Sequence, residues 1–322
     1  MTIIVTGCVG FIGTHLTKKL LDLNHKVIGI DTFNNFYDNK RKFHNHEQLT
    51  KYKNQFKIEN CDVCESKSFM DADVDVIFHL ASRANVRNSI QNPLEYIQDN
   101  IKPIVYILDC LKKRKEIGMS IPVLIYASSS SVYGSNPIIP FHEDDPLNHI
   151  ESPYALSKKV SEEYALLYHK LFGIKSIGLR FFTVYGPNGR PDMAPEKFLT
   201  NIYLGKEIQK YGNGTSERDY TYIDDIIQGL IKAMDVCECF DCTVINLGNS
   251  HTTSLNDFIA LCEKVVGKKA IVKQVEKQTG DVPITYANIT RAKNLLDYEP
   301  ETQLEEGLTK TFKWLKGYLD DN

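Results

Sequence analysis

The chain opens Thr2-Ile3-Ile4-Val5-Thr6-Gly7-Cys8-Val9-Gly10-Phe11-Ile12-Gly13-Thr14-His15-Leu16 after its first methionine. Thr2–Thr6 is a short β-branched run that reads as a buried strand, and Phe11–Leu23 carries apolar residues at helical spacing. Three glycines lie between them. A backbone without Cβ turns tightly and comes close to a pyrophosphate, and the helix N-terminus offers unpaired N–H groups and partial positive charge. The next strand-like run, Lys26–Asp31, ends in a carboxylate 18 residues beyond Gly13. A carboxylate there accepts hydrogen bonds from adenosine ribose hydroxyls and repels a 2′-phosphate. The pattern therefore predicts a dinucleotide, and NAD rather than NADP.

Outward from this turn, apolar runs alternate with amphipathic stretches. Phe56–Asp62, Val74–Ala81, Val123–Ser129, Lys175–Phe181 and Thr243–Leu247 read as further strands. Pro93–Lys115, Ser152–Phe172 and Ile223–Val236 read as helices. Such alternation implies an α/β fold, a doubly wound parallel sheet of the Rossmann type. After Phe182 come a loop rich in Gly and Pro and a helix near Pro195–Leu204. Ser254–Val266, Ile289–Leu296 and Leu304–Leu319 follow as helices, with Ser254 and Thr290 suited to N-cap positions. The expectation is a smaller, mainly helical C-terminal substrate domain. Residues 1–181 with 220–248 bind NAD, and 182–219 with 249–322 bind substrate.

The 322 residues are 42% hydrophobic and 25% charged, with net charge −3. That excludes fibrous and largely disordered chains and leaves no basic field for nucleic acid or an anionic membrane. No apolar run reaches the ~18 residues of a membrane span. No basic segment precedes the first strand, so a cytoplasmic location is expected, with the eight cysteines reduced. Cys61/Cys64 and Cys237/Cys239/Cys242 lack the paired spacing of zinc modules, so no metal is expected.

Tyr154 and Lys158 stand at i and i+4 in the stretch Ser152–Phe172, on one helical face. Strand Val123–Ser129 runs into Ser128-Ser129-Ser130-Ser131-Val132-Tyr133-Gly134. Hydroxyls at the C-terminal end of a parallel strand face the cofactor crevice. Oxidising an alcohol needs a base, and free Tyr, with pKa about 10, becomes one when an adjacent ammonium favours its phenolate. Tyr154 is the expected acid/base, Lys158 its partner, and Ser129 a hydrogen-bond partner of the reacting oxygen.

The spacing Gly7-x-x-Gly10-x-x-Gly13 together with Tyr154-x-x-x-Lys158 resembles the extended short-chain dehydrogenase/reductase superfamily. That resemblance implies adenine contacts at Asp62-Val63, pyrophosphate contacts at Leu80-Ala81-Ser82, and a nicotinamide ribose held by Lys158. Phe11 and Ile12 complete the glycine turn. Within the superfamily, Tyr126–Gly134, Gly178–Ala194, Arg218–Asp225 and the loop Asn34-Asn35-Phe36-Tyr37-Asp38 are similar to the UDP-glucuronate 4-epimerases. The implied substrate is a UDP-sugar, oxidised at C4 and re-reduced on the opposite face by NAD that stays bound. The implied assembly is a homodimer through a four-helix bundle, with apolar stripes Ile101/Val105/Leu108/Leu111 and Val160/Tyr164/Leu167/Leu171.

The serine run separates reactions. Related 4,6-dehydratases carry Asp and Glu where Ser130 and Ser131 stand, and decarboxylases a Glu in the same turn. Serine is no general acid near pH 7. Ser130, Ser131 and Thr183 instead suit hydrogen bonds to a substrate carboxylate. Arg218 matches the family's diphosphate grip, where a guanidinium suits phosphate. Arg87 matches its Val-Arg, Arg190 lies in a loop that closes over the nucleotide, and Asp281 matches a uridine-ribose position. Arg83, Asn85 and Asn188 stand where the family usually has Gln, Gly and Trp, which bears on sugar choice. The alternatives are a 4-epimerase of a neutral UDP-hexose or UDP-N-acetylhexosamine, a UDP-sugar dehydratase or decarboxylase, and an NAD-sensing regulator without activity.

Overall fold

The structure, a computed structural model, describes residues 1–34, 36, 39–276 and 280–320. Of the loop quoted above, Asn35, Tyr37 and Asp38 lie outside the described residues. The strands run in chain order as β1 Thr2–Thr6, β2 Lys26–Asp31, β3 Phe56–Asn60, β4 Val76–His79, β5 Val123–Ser129 and β6 Ser176–Phe181. They continue as β7 Thr183–Tyr185, β8 Glu207–Tyr211, β9 Glu217–Tyr222, β10 Cys242–Leu247, β11 Thr252–Ser254 and β12 Ile271–Val275.

Seven of them form one parallel sheet in the order β10-β6-β5-β4-β1-β2-β3. Chain order reverses between β1 and β4, which opens a crevice at their C-terminal ends. The strands alternate faces: Ile3 and Val5 join one core cluster while Ile4 joins the other. Likewise Ile125, Ile177 and Leu179 pack on the first face, and Leu124 and Tyr126 on the second. With helices on both faces this is the predicted doubly wound Rossmann sheet, and β10 returns to its edge beside β6.

The C-terminal part carries strands as well as helices. β11-β9-β7 form a three-stranded sheet and β12-β8 a parallel pair. These strands are three to six residues long and largely polar, so they show no alternation to read.

Two sequence expectations change. Pro93–Lys115 is not one helix: Pro93–Tyr96 leads through a π-turn, Ile97–Ile101, into Lys102–Glu116. Pro103 has no N–H to continue the α-helical ladder, and the wider turn absorbs the gap. Thr290 is the first helical residue rather than the cap, and its N–H is taken by Asn288 Oδ1 at 2.9 Å. Ser254 caps as expected, accepting the Asp257 N–H at 3.1 Å.

Candidate active site

A cavity of about 610 Å³ occupies the crevice, and every residue given a catalytic, cofactor-binding or substrate-binding role above lines it. That size lies within the range of small-molecule sites.

Its floor is the glycine turn. Gly7 has φ +71°, and a Cβ on it would come 2.9 Å from the Ala81 nitrogen. A Cβ on Gly13 would come 2.0 Å from the Gly7 carbonyl oxygen. Gly10 caps the helix Phe11–Asp22 without a side-chain bond, so the helix presents its backbone N–H groups to the cavity. Beside it, Thr6 Oγ1 accepts the Ala81 N–H at 3.1 Å and meets His79 Nδ1 at 2.8 Å. Burial, with the Lys158 charge second, lowers the His79 pKa to about 3, so that ring is neutral. Leu80, Ala81 and Ser82 are thereby held over the turn.

Asp31 ends β2, 7% exposed, and accepts the Phe33 N–H at 2.9 Å. Lys42 reaches it as well, Nζ to Oδ1 3.1 Å. Lys42 was not foreseen; it sits on the helix Asn39–Leu49, whose polar composition hid the helix itself. Asp62 accepts the Cys64 N–H at 2.8 Å and lines the far end with Val63. These parts form a bare backbone cradle, a helix N-terminus and a carboxylate at the second strand end. They fit NAD, which when bound supplies the hydride acceptor. Among the described residues no three His, Cys, Asp or Glu side chains gather as a metal site.

At the centre, the helix Pro153–Phe172 starts at Ser152, whose Oγ accepts the Ala155 N–H at 3.1 Å. It presents Tyr154 and Lys158 to the cavity together. Lys158 is 5% exposed, and its Nζ donates to the Ala127 carbonyl at 2.8 Å. Burial pulls its pKa down to about 8, against the opposing pull of the Glu162 carboxylate. Burial raises the Tyr154 phenol; the Ser129 hydroxyl and then the Arg190 guanidinium oppose it.

Ser129 Oγ accepts the Ser131 N–H and donates to Ser131 Oγ, both at 3.2 Å. Ser130 is 8% exposed, and Thr183, the first residue of β7, lines the same cavity two residues beyond the β6 partner of Ser129.

On the outer side, Arg218 is partly buried and donates to the Glu217 carbonyl at 2.8 Å. Among the described residues no carboxylate lies within ion-pair distance of it. A cation so placed answers an anionic ligand. Arg87 pairs with Asp281 at 2.9 Å and lies 4.1 Å from the Tyr211 ring centroid. Arg190 pairs with Asp192 at 2.6 Å and donates to the Ala84 carbonyl at 3.3 Å.

Of the three departures, Arg83 lines the cavity with its charge answered by Asp99 at 2.8 Å and Glu95 at 2.9 Å. Asn85 holds φ +114° and bonds Asp192 at 3.0 Å, joining the loop after β4 to the loop after β7. Asn188 does not line the cavity. It donates to Asn45 Oδ1, and Asn45 Nδ2 donates to the Val9 carbonyl at 2.8 Å, so it supports the glycine turn from behind. Asn100, also unforeseen, grips the backbone of Arg83 from the π-turn, N–H to Oδ1 2.7 Å and Nδ2 to carbonyl 3.0 Å. Its only sequence signal was the proline three residues on.

The chain matches the NAD dependent epimerase/dehydratase family over residues 3–248. It is 39% identical over 323 residues to the UDP-glucuronate 4-epimerase of Thermodesulfobacterium geofontis, covering 98% of this chain and 97% of that one. The solved UDP-glucuronic acid 4-epimerase from Bacillus cereus, in complex with UDP-glucuronic acid and NAD, superposes with a TM-score of 0.92 at 33% identity. That match covers 99% of this chain and 100% of the other. The UDP-N-acetylglucosamine 4-epimerase from Methanobrevibacter ruminantium M1, in complex with UDP-N-acetylmuramic acid, superposes with 0.87 at 28% identity, covering 98% of both. The chain belongs to the NAD dependent epimerase/dehydratase family, and it is an NAD-dependent isomerase of the 4-epimerase type.

Proposed function

We propose that the chain interconverts UDP-glucuronate and UDP-galacturonate through a transient 4-keto sugar. The observation that carries this reading is the serine turn: Ser129, Ser130 and Ser131 line the cavity together with Thr183, which lies two residues beyond the β6 partner of Ser129. The turn offers hydroxyls for a carboxylate and no acid for loss of water. The names of the Thermodesulfobacterium and Bacillus relatives support the same sugar.

In this reading Tyr154 takes the proton from the 4-hydroxyl, Ser129 hydrogen-bonds that oxygen, and Lys158 holds the nicotinamide ribose. Ser130, Ser131 and Thr183 bind the sugar carboxylate. Arg218, Arg87 and Arg190 receive the diphosphate, which would draw Arg87 away from Asp281 and free that carboxylate for the uridine ribose. Residues 1–181 with 220–248 hold NAD, and 182–219 with 249–322 the sugar nucleotide. With NAD bound as acceptor of the C4 hydride, the keto sugar would turn over, take that hydride back on its opposite face, and regain the proton on its 4-oxygen from Tyr154. UDP-glucuronate labelled with deuterium at C4 tests this. UDP-galacturonate that keeps the label at C4 agrees with hydride return inside one site. Label lost to water, or release of carbon dioxide, contradicts it.

A homodimer is proposed on narrower grounds than the stripes implied. Leu108 and Leu111 are fully buried against the sheet, whereas Leu156, Leu167 and Leu171 stand exposed on the catalytic helix. A monomer mass in sedimentation would remove the dimer. Among the described residues no helix is long and apolar enough to cross a membrane.

A further inference from the structure

One buried ion pair holds the serine turn at both ends. Glu162 lies on the catalytic helix eight residues beyond Tyr154, and Arg180 lies in β6, in register with Ser128 of β5. Arg180 Nε meets Glu162 Oε1 at 2.9 Å and Nη2 meets Oε2 at 2.8 Å, with the side chains 3% and 9% exposed. Ser128 Oγ donates to Glu162 Oε1 at 2.5 Å. At the far end of the turn, Arg180 Nη1 donates to Tyr133 Oη at 2.8 Å, and Tyr133 Oη donates to Asn246 Oδ1 at 2.7 Å. Neither Glu162, Arg180 nor Tyr133 lines the cavity.

A buried pair of this kind is a weak source of stability, since desolvation of both charges offsets their attraction. What it supplies is direction. Besides the Glu143 carbonyl, which Arg180 Nη1 reaches at 3.2 Å, its bonds end on Ser128 and Tyr133, the residues that bracket Ser129–Val132. The geometry points to Glu162 and Arg180 as positioning residues that act through Ser128 and Tyr133 to hold Ser129 against Tyr154 and the reacting oxygen. This inference rests on the role proposed above for Ser129.

Ser128→Ala tests it most cleanly, because it unfastens one end of the turn while Arg180 keeps its bonds to Glu162. Ser128→Thr restores the hydroxyl. Two readouts are made on the NAD-loaded protein. The first is kcat and KM on whichever UDP-sugar the wild type turns over. The second is the titration of Tyr154, taken as the absorbance difference between each protein and the same protein carrying Tyr154→Phe. Tyr154 is faced by Ser129 from β5, Tyr96 from the helix Pro93–Tyr96, Arg190 from the loop after β7, and Lys158 on its own helix. Of these, the substitution displaces only Ser129.

Ser128→Ala is expected to lower kcat about tenfold with KM within about twofold, since a misplaced group costs transition-state stabilisation more than binding. The Tyr154 phenol should titrate at higher pH, and Ser128→Thr should restore both properties. A lower melting temperature with kcat and the phenol titration unchanged would overturn the inference and leave the pair merely structural. Should the wild type turn over no UDP-sugar, the functional reading fails, and the phenol titration still decides the clamp.

Discussion

Tyr154 sits where two demands oppose each other. Burial favours its neutral phenol, while taking a proton from an alcohol requires the phenolate. Ser129 and Arg190 supply the pull toward the phenolate, and both lie in segments that approach from other parts of the chain. Tyr154→Phe keeps the ring and its edge contact with Tyr96, 6.2 Å between centroids, and removes the oxygen alone. Turnover should fall by about 10²–10⁴-fold, the usual contribution of a positioned acid/base, with bound NAD and circular dichroism retained. Near-wild-type turnover of that variant would remove Tyr154 from the chemistry.

At the scale of the element, the catalytic helix depends on how it starts. Tyr154 is in the first turn, one residue past Pro153, and Ser152 is the cap that fastens that turn. Ser152→Ala should cost about 1 kcal/mol of stability, measured by urea denaturation. No loss would show that tertiary contacts alone hold the helix start. This helix, the glycine turn and the seven parallel strands were legible in the sequence because their signals are local: a cap, a periodicity, a run of β-branched residues. What was not legible depends on distant partners. Lys42 counts only because its helix folds back onto Asp31, and Asn188 only because it meets Asn45 from 143 residues away. The Arg41–Glu196 pair, buried at 2.6 Å, joins residues 155 apart and fastens the helix Ala194–Tyr203 to the helix after β2. The stripes on the two long helices looked alike in sequence, yet Leu108 and Leu111 face the sheet while Leu167 and Leu171 face outward. Periodicity reveals an apolar face without saying what covers it.

At the scale of the whole molecule, the site is held at a cost to stability. Lys158 is buried, with a pKa of about 8 against an ordinary 10.5. Below pH 8 folded and unfolded chains both carry the charge, and the full penalty of burying it is present. Between pH 8 and 10.5 only the unfolded chain keeps the proton, so folding stability from this group rises with pH, and above 10.5 the penalty is gone. Lys158→Met should therefore stabilise the NAD-free protein at pH 7 by up to about 3 kcal/mol, a gain that fades above pH 8, while activity is lost. A methionine variant less stable than wild type at pH 7 would show that the bond to the Ala127 carbonyl outweighs the buried charge.

The account as a whole turns on one reaction in one cavity. Purified protein is mixed with UDP-glucuronate, without added NAD, and the sugar is followed by proton NMR. The prediction is UDP-galacturonate, with no accumulation of NADH, which would require tightly held NAD, a competent Tyr154 and a pocket that accepts the carboxylate. An unchanged spectrum, even after NAD is supplied, would contradict the reading of the serine turn and direct the search to neutral UDP-hexoses and UDP-N-acetylhexosamines.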